Sequence, residues 1–239
     1  MGWEKETIAV LVEAAPTWSK KYGYLICTAG LNEKGEWRRL YPMPLDIVLS
    51  KIRRWDLIEV ETTKPEHDAR KESRKINPDL IIHRGKSLID REEKRSFLNN
   101  LSEKSLDSAQ TEKRTLTMIK PEVLDFYIEE RKEERIQLTL NGKPFRKQPY
   151  GDIGLFYRWK CPVPCKGCIK RPHMMECFDW GANQLWKRYE ANPEEAKEKV
   201  TRKLFFDMRD RFDTWFALGT HSRYPFLRWM IIGLFWFKK

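Results

Sequence analysis

The alternation of apolar and polar positions marks the first sixty residues as strand-rich. Thr7 to Glu13 (TIAVLVE) is short and rich in β-branched residues, and Gly23 to Leu31 forms a second apolar run. Asn32-Glu33-Lys34-Gly35 has hairpin-turn chemistry and leads into a third strand over Trp37 to Tyr41. Pro42 and Pro44 then stop pairing, and Leu45 to Arg53 carries helix-like apolar spacing. Asp56 to Thr62 (DLIEVET) alternates with the period of two expected of a half-buried strand. Short strands around turns, with one small helix among them, predict a small barrel of the OB or SH3-like kind.

The rest of the chain reads as mixed. Residues 64–78 are polar and predict a loop, and Asp79 to His83 predicts a strand. Ser87 to Glu103 predicts a helix, with Ser87 as its cap and an acidic first turn of Asp90, Glu92 and Glu93. Ser105 to Lys113 reads as a solvated linker. Leu116 to Glu129 is strand-like, and Arg135 to Leu140 meets the hairpin dipeptide Asn141-Gly142. A helix is expected near Ala182. Asn192-Pro193 opens another that runs to about Arg211, and strands over Trp215 to Leu218 and Phe226 to Phe237 close the chain. The expected fold class is α+β. Residues 1–115 form a β-rich, barrel-like part, and residues 116–239 carry a hairpin, a metal knuckle, helices and terminal strands.

The knuckle lies at residues 161–177, CPVPCKGCIKRPHMMEC, which hold four of the five cysteines and one of the four histidines. Thiolates and imidazoles gathered so closely converge when a soft or borderline metal binds them. Cys161, Cys165 and Cys168 are the expected core of the set, with His173 or Cys177 as the fourth ligand. Four protein ligands make a closed, structural zinc site. An iron–sulfur cluster is the second reading, since C-x3-C-x2-C is also the cluster spacing of radical S-adenosylmethionine enzymes. Only 71 residues follow Cys168, too few for the βα units of such a barrel. A catalytic zinc would need an open position, with Glu176 or Asp179 nearest to serve it.

The net charge of +11 points to an anionic partner, with nucleic acid the commonest. Arg38, Arg39, Arg53, Arg54, Lys166, Lys170 and Arg171 are the expected phosphate contacts. Trp37, Tyr41, Trp55, Phe145, Tyr150 and Trp159 stand among the basic runs as candidate stacking rings. RNA is favoured over DNA. A metal-dependent enzyme using Asp68, Glu72 or Asp179, and a protein–protein adaptor, are the alternatives. The start Met1-Gly2-Trp3-Glu4-Lys5-Glu6 lacks a signal peptide's pattern, and no run has spanning length. A cytoplasmic setting is therefore expected, with cysteines serving metal rather than disulfides. The charged, glutamine-poor composition matches heat-adapted proteins.

Two regions resemble an uncharacterised group of prokaryotic proteins. At the N-terminal end the likeness rests on KYGYLICTAGL, GEWRRLYPMPL, KIRRWDLIEVE and HDARKES; at the C-terminal end it rests on HMMECFDWG, WFALGT and WMIIGL. The resemblance implies an OB-like N-terminal part and a cysteine/histidine stretch ending in Asp-Trp-Glu. It implies no established activity. Here Gly181 stands in the place of that glutamate, after Asp179 and Trp180.

Overall fold

The structure, a computed structural model, describes residues 2–130, 153–222 and 224–239. The hairpin expected at 135–142, together with Phe145 and Tyr150, lies outside them. The N-terminal part begins with β1 (Glu4–Glu13), a short hairpin of β2 (Thr17–Ser19) and β3 (Gly23–Leu25), then β4 (Thr28–Asn32) and β5 (Trp37–Tyr41). It continues through α1 (Leu45–Lys51), β6 (Asp56–Thr63), β7 (Ser73–Ile76) and β8 (Ile82–Lys86). Strand order β1-β4-β5-β7-β6, with β6 paired back onto β1, closes a five-stranded barrel, and β8 extends it beside β6. Closure leaves these strands no free ladder, because every edge meets a neighbour.

The barrel's interior is aliphatic: Ile8, Val10, Leu40, Ile58, Val60 and Ile76, with Val48 and Ile52 of α1 packed against it. The β4–β5 turn forms as expected. The Asn32 side-chain oxygen accepts the N–H groups of Lys34 and Glu36, and Gly35 takes a positive φ of 74°. The 64–78 segment is more than a loop. Its residues Ser73–Ile76 are β7, parallel to β5 and antiparallel to β6, and without them the barrel would stay open.

The chain then runs through α2 (Arg91–Leu101), β9 (Ser102–Glu103), α3 (Leu106–Thr111), β10 (Leu116–Ile119) and β11 (Glu122–Glu130). After the undescribed segment come β12 (Ile153–Lys160), α4 (Lys166–Lys170), β13 (His173–Glu176), α5 (Trp180–Tyr189) and α6 (Pro193–Thr201). A wider helical turn over Arg202–Asp207 joins α6 to α7 (Met208–Arg211), so the helix expected up to Arg211 is continuous but locally unwound. Strands β14 (Phe212–Thr220) and β15 (Trp229–Lys238) finish the chain.

Three local expectations are corrected. Helix α2 is capped by Asp90, whose carboxylate accepts from Glu92 and Glu93, while Ser87 bonds through its N–H and hydroxyl to the Trp55 carbonyl. Residues 105–113 are not a solvated linker. Ser105 caps α3, which buries Leu106 and Ala109. The strand expected at 79–83 begins later, because Pro78–Leu80 forms a tight turn capped by Asn77.

The two parts share one core. Leu11, Val12 and Trp55 of the first part pack with Leu98 of α2 and with Trp215 and Phe235 of the β15-β14-β10-β9 sheet. A second C-terminal cluster joins Tyr157 and Trp159 of the β11-β12-β13 sheet to Trp186, Val200 and Phe205 on the helices. Its position fixes the knuckle, which leaves β12 and returns along it as β13.

Candidate metal centre

Strand β12 delivers Cys161, and Cys165 caps α4, accepting the Cys168 N–H. Strand β13 then pairs back on β12 with His173 opposite Trp159, and the two rings lie 4.6 Å apart. Gly167 provides the necessary clearance, for a Cβ there would stand 3.1 Å from His173 Cε1. Cys161 and His173, at the two ends of the loop, thus meet because one antiparallel pair aligns those ends.

The Sγ atoms of Cys161, Cys165 and Cys168 and a ring nitrogen of His173 all lie within 4.8 Å of one another. Cys165 Sγ is 3.4 Å from Cys168 Sγ, and His173 Nε2 is 3.2 Å from Cys165 Sγ and 3.7 Å from Cys161 Sγ. Tetrahedral zinc with Zn–S of about 2.3 Å and Zn–N of about 2.0 Å requires S···S near 3.8 Å and S···N near 3.5 Å. The two S···N distances bracket the second value and the S···S distance is slightly below the first, so the four residues fit a metal ion.

Backbone N–H groups point at the sulfurs: Leu106 donates to Cys161, Cys161 to Cys168, and Cys168 to Cys165. Such bonds stabilise thiolates. Burial pushes the Cys161 thiol up, reinforced by the Cys165 and Cys168 sulfurs, and burial raises Cys165 as well. Cys168 is brought down. Burial opposes its ionisation, but hydrogen bonds from the Cys161 backbone and the Cys165 thiol outweigh that opposition. Burial also lowers His173, which favours the neutral imidazole that a metal needs. A bound cation would resolve the conflict between crowded thiols and their burial.

Cys177 stands apart from this group. It lies past β13, bridged to Ile231, with its N–H on the Leu155 carbonyl, and burial raises its thiol well above the usual range. Of the two candidates for the fourth position, the structure brings in His173. Among the described residues no other such cluster of histidine, cysteine or carboxylate groups occurs.

The basic residues divide. Lys166, Lys170 and Arg171 are exposed on the knuckle. The four arginines at the barrel all make contacts within the fold: Arg38 and Arg39 are buried and Arg54 is half-buried, whereas Arg53 is exposed. Arg38 is buried against Glu6 and Glu36, and Arg39 donates to Cys27 Sγ and the Thr115 carbonyl. Arg53 binds the carbonyls of Val48, Leu49 and Ile52 at the end of α1, and Arg54 binds Asp179 and the Leu234 carbonyl. Trp37, Trp55 and Trp159 are core residues, leaving Tyr41 as the exposed ring of the described candidates. Trp3 and Trp18 also face solvent. Neither was expected, although Lys20 and Lys21 close to Trp18 were an available signal.

The carboxylates considered for catalysis are likewise engaged. Asp68 holds Arg70 and Ser73, and Glu72 accepts from the Thr115 N–H and hydroxyl. Asp179 caps α5.

Fold and site together define an α+β protein in which a closed five-stranded barrel is fused to a part bearing a Cys3His centre. Residues 4–100 match the family model described as a domain of unknown function, DUF8758, and residues 99–239 match the one described as a domain of unknown function, DUF8757. The second match spans more than half of the chain, which belongs to the DUF8757 family. The junction of the two matches falls inside α2, about fifteen residues before the expected boundary at 115. No curated protein matches the chain. Among the described residues no helix is long and apolar enough to cross a membrane.

Proposed function

We propose that the chain is a nucleic-acid-binding protein, RNA ahead of DNA, in which zinc holds the knuckle in shape. The observation that carries the reading is the exposed trio Lys166, Lys170 and Arg171 around the Cys3His group, on a chain of net charge +11. All three side chains are exposed, and the contact that Lys166 makes with Asp107 runs through its backbone N–H rather than its ammonium. Four protein ligands leave zinc no open position for a substrate, so its role is to fix the loop that displays the cations. A cytoplasmic setting and a heat-adapted source belong to the same reading. The engagement of Asp68, Glu72 and Asp179 within the fold gives a catalytic reading less support.

The test is binding of a labelled RNA, and of DNA of the same sequence, across a salt series. Phosphate contacts release counterions, so affinity should fall steeply with salt, and replacing the trio by glutamate should flatten the slope by about three contacts. An affinity that stays in the nonspecific range of about 10⁻⁴ M and ignores the charge reversal would sink the proposal.

A further inference from the structure

One face of the barrel carries a connected run of exposed aromatic rings and lysines. Trp3, Trp18 and Tyr41 are 48%, 45% and 49% exposed, high values for side chains that usually seek a core. The rings are not scattered. Tyr41 meets Tyr22 edge to face at 5.9 Å, and Lys21 sits over the Tyr22 ring at 5.0 Å. Tyr41 ends β5 beside Lys75 of β7, whose ammonium lies 6.0 Å from the Trp3 ring. On the hairpin that carries Tyr22 between its strands, Trp18 packs on Tyr24 at 4.9 Å. Isolated surface aromatics need no explanation, but a braced tyrosine pair that runs on through Lys75 to the exposed Trp3 ring does.

Resting on the nucleic-acid reading, we infer that this strip, Trp3–Lys75–Tyr41–Tyr22–Lys21, is a stacking surface for unpaired bases of a single strand. Each base offers a π-face to a ring, while the lysines meet the intervening phosphates. Duplex bases are already stacked and present only their edges, so they gain nothing from such a surface. An edge-to-face contact holds Tyr22 and Tyr41 in place before binding, which reduces the ordering cost of association. Charge selects the occupant. The exposed Lys20, Lys21 and Lys75 and the chain's +11 charge suit a polyanion, and the rings suit one that has planar bases.

The experiment measures anisotropy of labelled oligouridine and of a blunt RNA duplex of equal length, using the full chain. The double variant Trp3→Ala/Tyr41→Ala should weaken oligouridine binding at least about tenfold, given the size of base–aromatic stacking. Duplex binding should be unchanged, and Trp3→Phe/Tyr41→Phe should restore the single-strand affinity. Unaltered melting of the alanine variant separates lost stacking from lost fold; should it melt early, Trp3→Ala alone, ahead of the first strand, replaces it. Equal weakening for both nucleic acids, or none, overturns the strip while leaving salt-dependent RNA binding in place. If neither RNA binds the wild-type chain, the nucleic-acid reading itself falls. Ring-dependent capture of anionic phosphatidylserine vesicles without RNA binding would assign the strip to a membrane surface and overturn the inference.

Discussion

Arg54, just ahead of β6, reaches across the two parts to Asp179, its Nη2 lying 2.7 Å from an Asp179 oxygen that is almost wholly buried. The same carboxylate accepts the N–H groups of Ala182 and Leu234, so it caps α5 and anchors β15 at once. Arg54 also donates to the Leu234 carbonyl and lies over the Phe235 ring. Removing one member of such a pair leaves the other charge buried, at a cost of about 3–5 kcal/mol. Asp179→Ala should therefore lower stability by roughly that amount, and Arg54→Ala nearly as much. Because the parts share a core, urea unfolding followed by fluorescence and by circular dichroism should give one coincident transition. Two separated transitions would mean that the parts fold independently.

The Cys3His group makes a sharper distinction among the cysteines. Protein purified without added metal should contain about one zinc per chain, with no visible absorbance. A brown protein absorbing near 400 nm would point to an iron–sulfur centre instead. Cys165→Ser, Cys168→Ser and His173→Ala should each lose metal and melt at much lower temperature, because binding free energy is folding free energy at such a site. Cys177→Ser should keep the metal and show only the penalty of a buried hydroxyl, about 1–3 kcal/mol. Loss of zinc from the Cys177 variant would place that sulfur in the coordination sphere.

Features governed by local chemistry were legible in the chain. The Asn32–Gly35 turn and the Asn192-Pro193 helix start declare themselves through side-chain caps and preset φ angles. Cys161, Cys165 and Cys168 were legible because close thiols have few other uses. Choosing His173 over Cys177 required knowing that β13 pairs on β12 with His173 against Trp159. Strand β7 (SRKI) was hidden because it is polar, and its strand state is imposed by neighbours on both sides. The partners of Arg39 were hidden for a related reason. A basic residue in a strand discloses its charge, not the carbonyl or carboxylate it will meet, and Arg39 meets Thr115, far along the chain.

Acid should act through Asp68. Burial alone would raise this carboxyl, but hydrogen bonds from Arg70 and Ser73 bring it down from 3.8 to about 2. A depressed folded-state value means the contribution is fully present above pH 4 and is lost as pH falls from about 4 toward 2. After allowance for solvent screening the contribution is about 1 kcal/mol. Chemical denaturation at pH 6 and pH 3 should show the wild type losing more stability than Asp68→Asn. The asparagine variant should be less stable at the higher pH. A variant with the wild-type acid slope would mean that another group carries it.

The division between inward and outward cations gives the last expectation. Arg39 is 5% exposed and donates to the Thr115 carbonyl beside Glu72, which holds the same residue's N–H and hydroxyl. Arg39→Glu would bring a second carboxylate to this buried place and leave the carbonyl without its donor, so the chain should unfold or melt far below the wild type. Arg171→Glu changes an exposed position on the knuckle and should leave the melting temperature nearly unchanged. In an RNA titration, Arg171→Glu should weaken binding across sequences, because phosphate contacts position a ligand without reading it. Arg39→Gln, which can still donate to a carbonyl, should bind RNA normally wherever it stays folded. Stable, folded Arg39→Gln protein with a large loss of affinity would show that Arg39 leaves its interior partners to meet the nucleic acid.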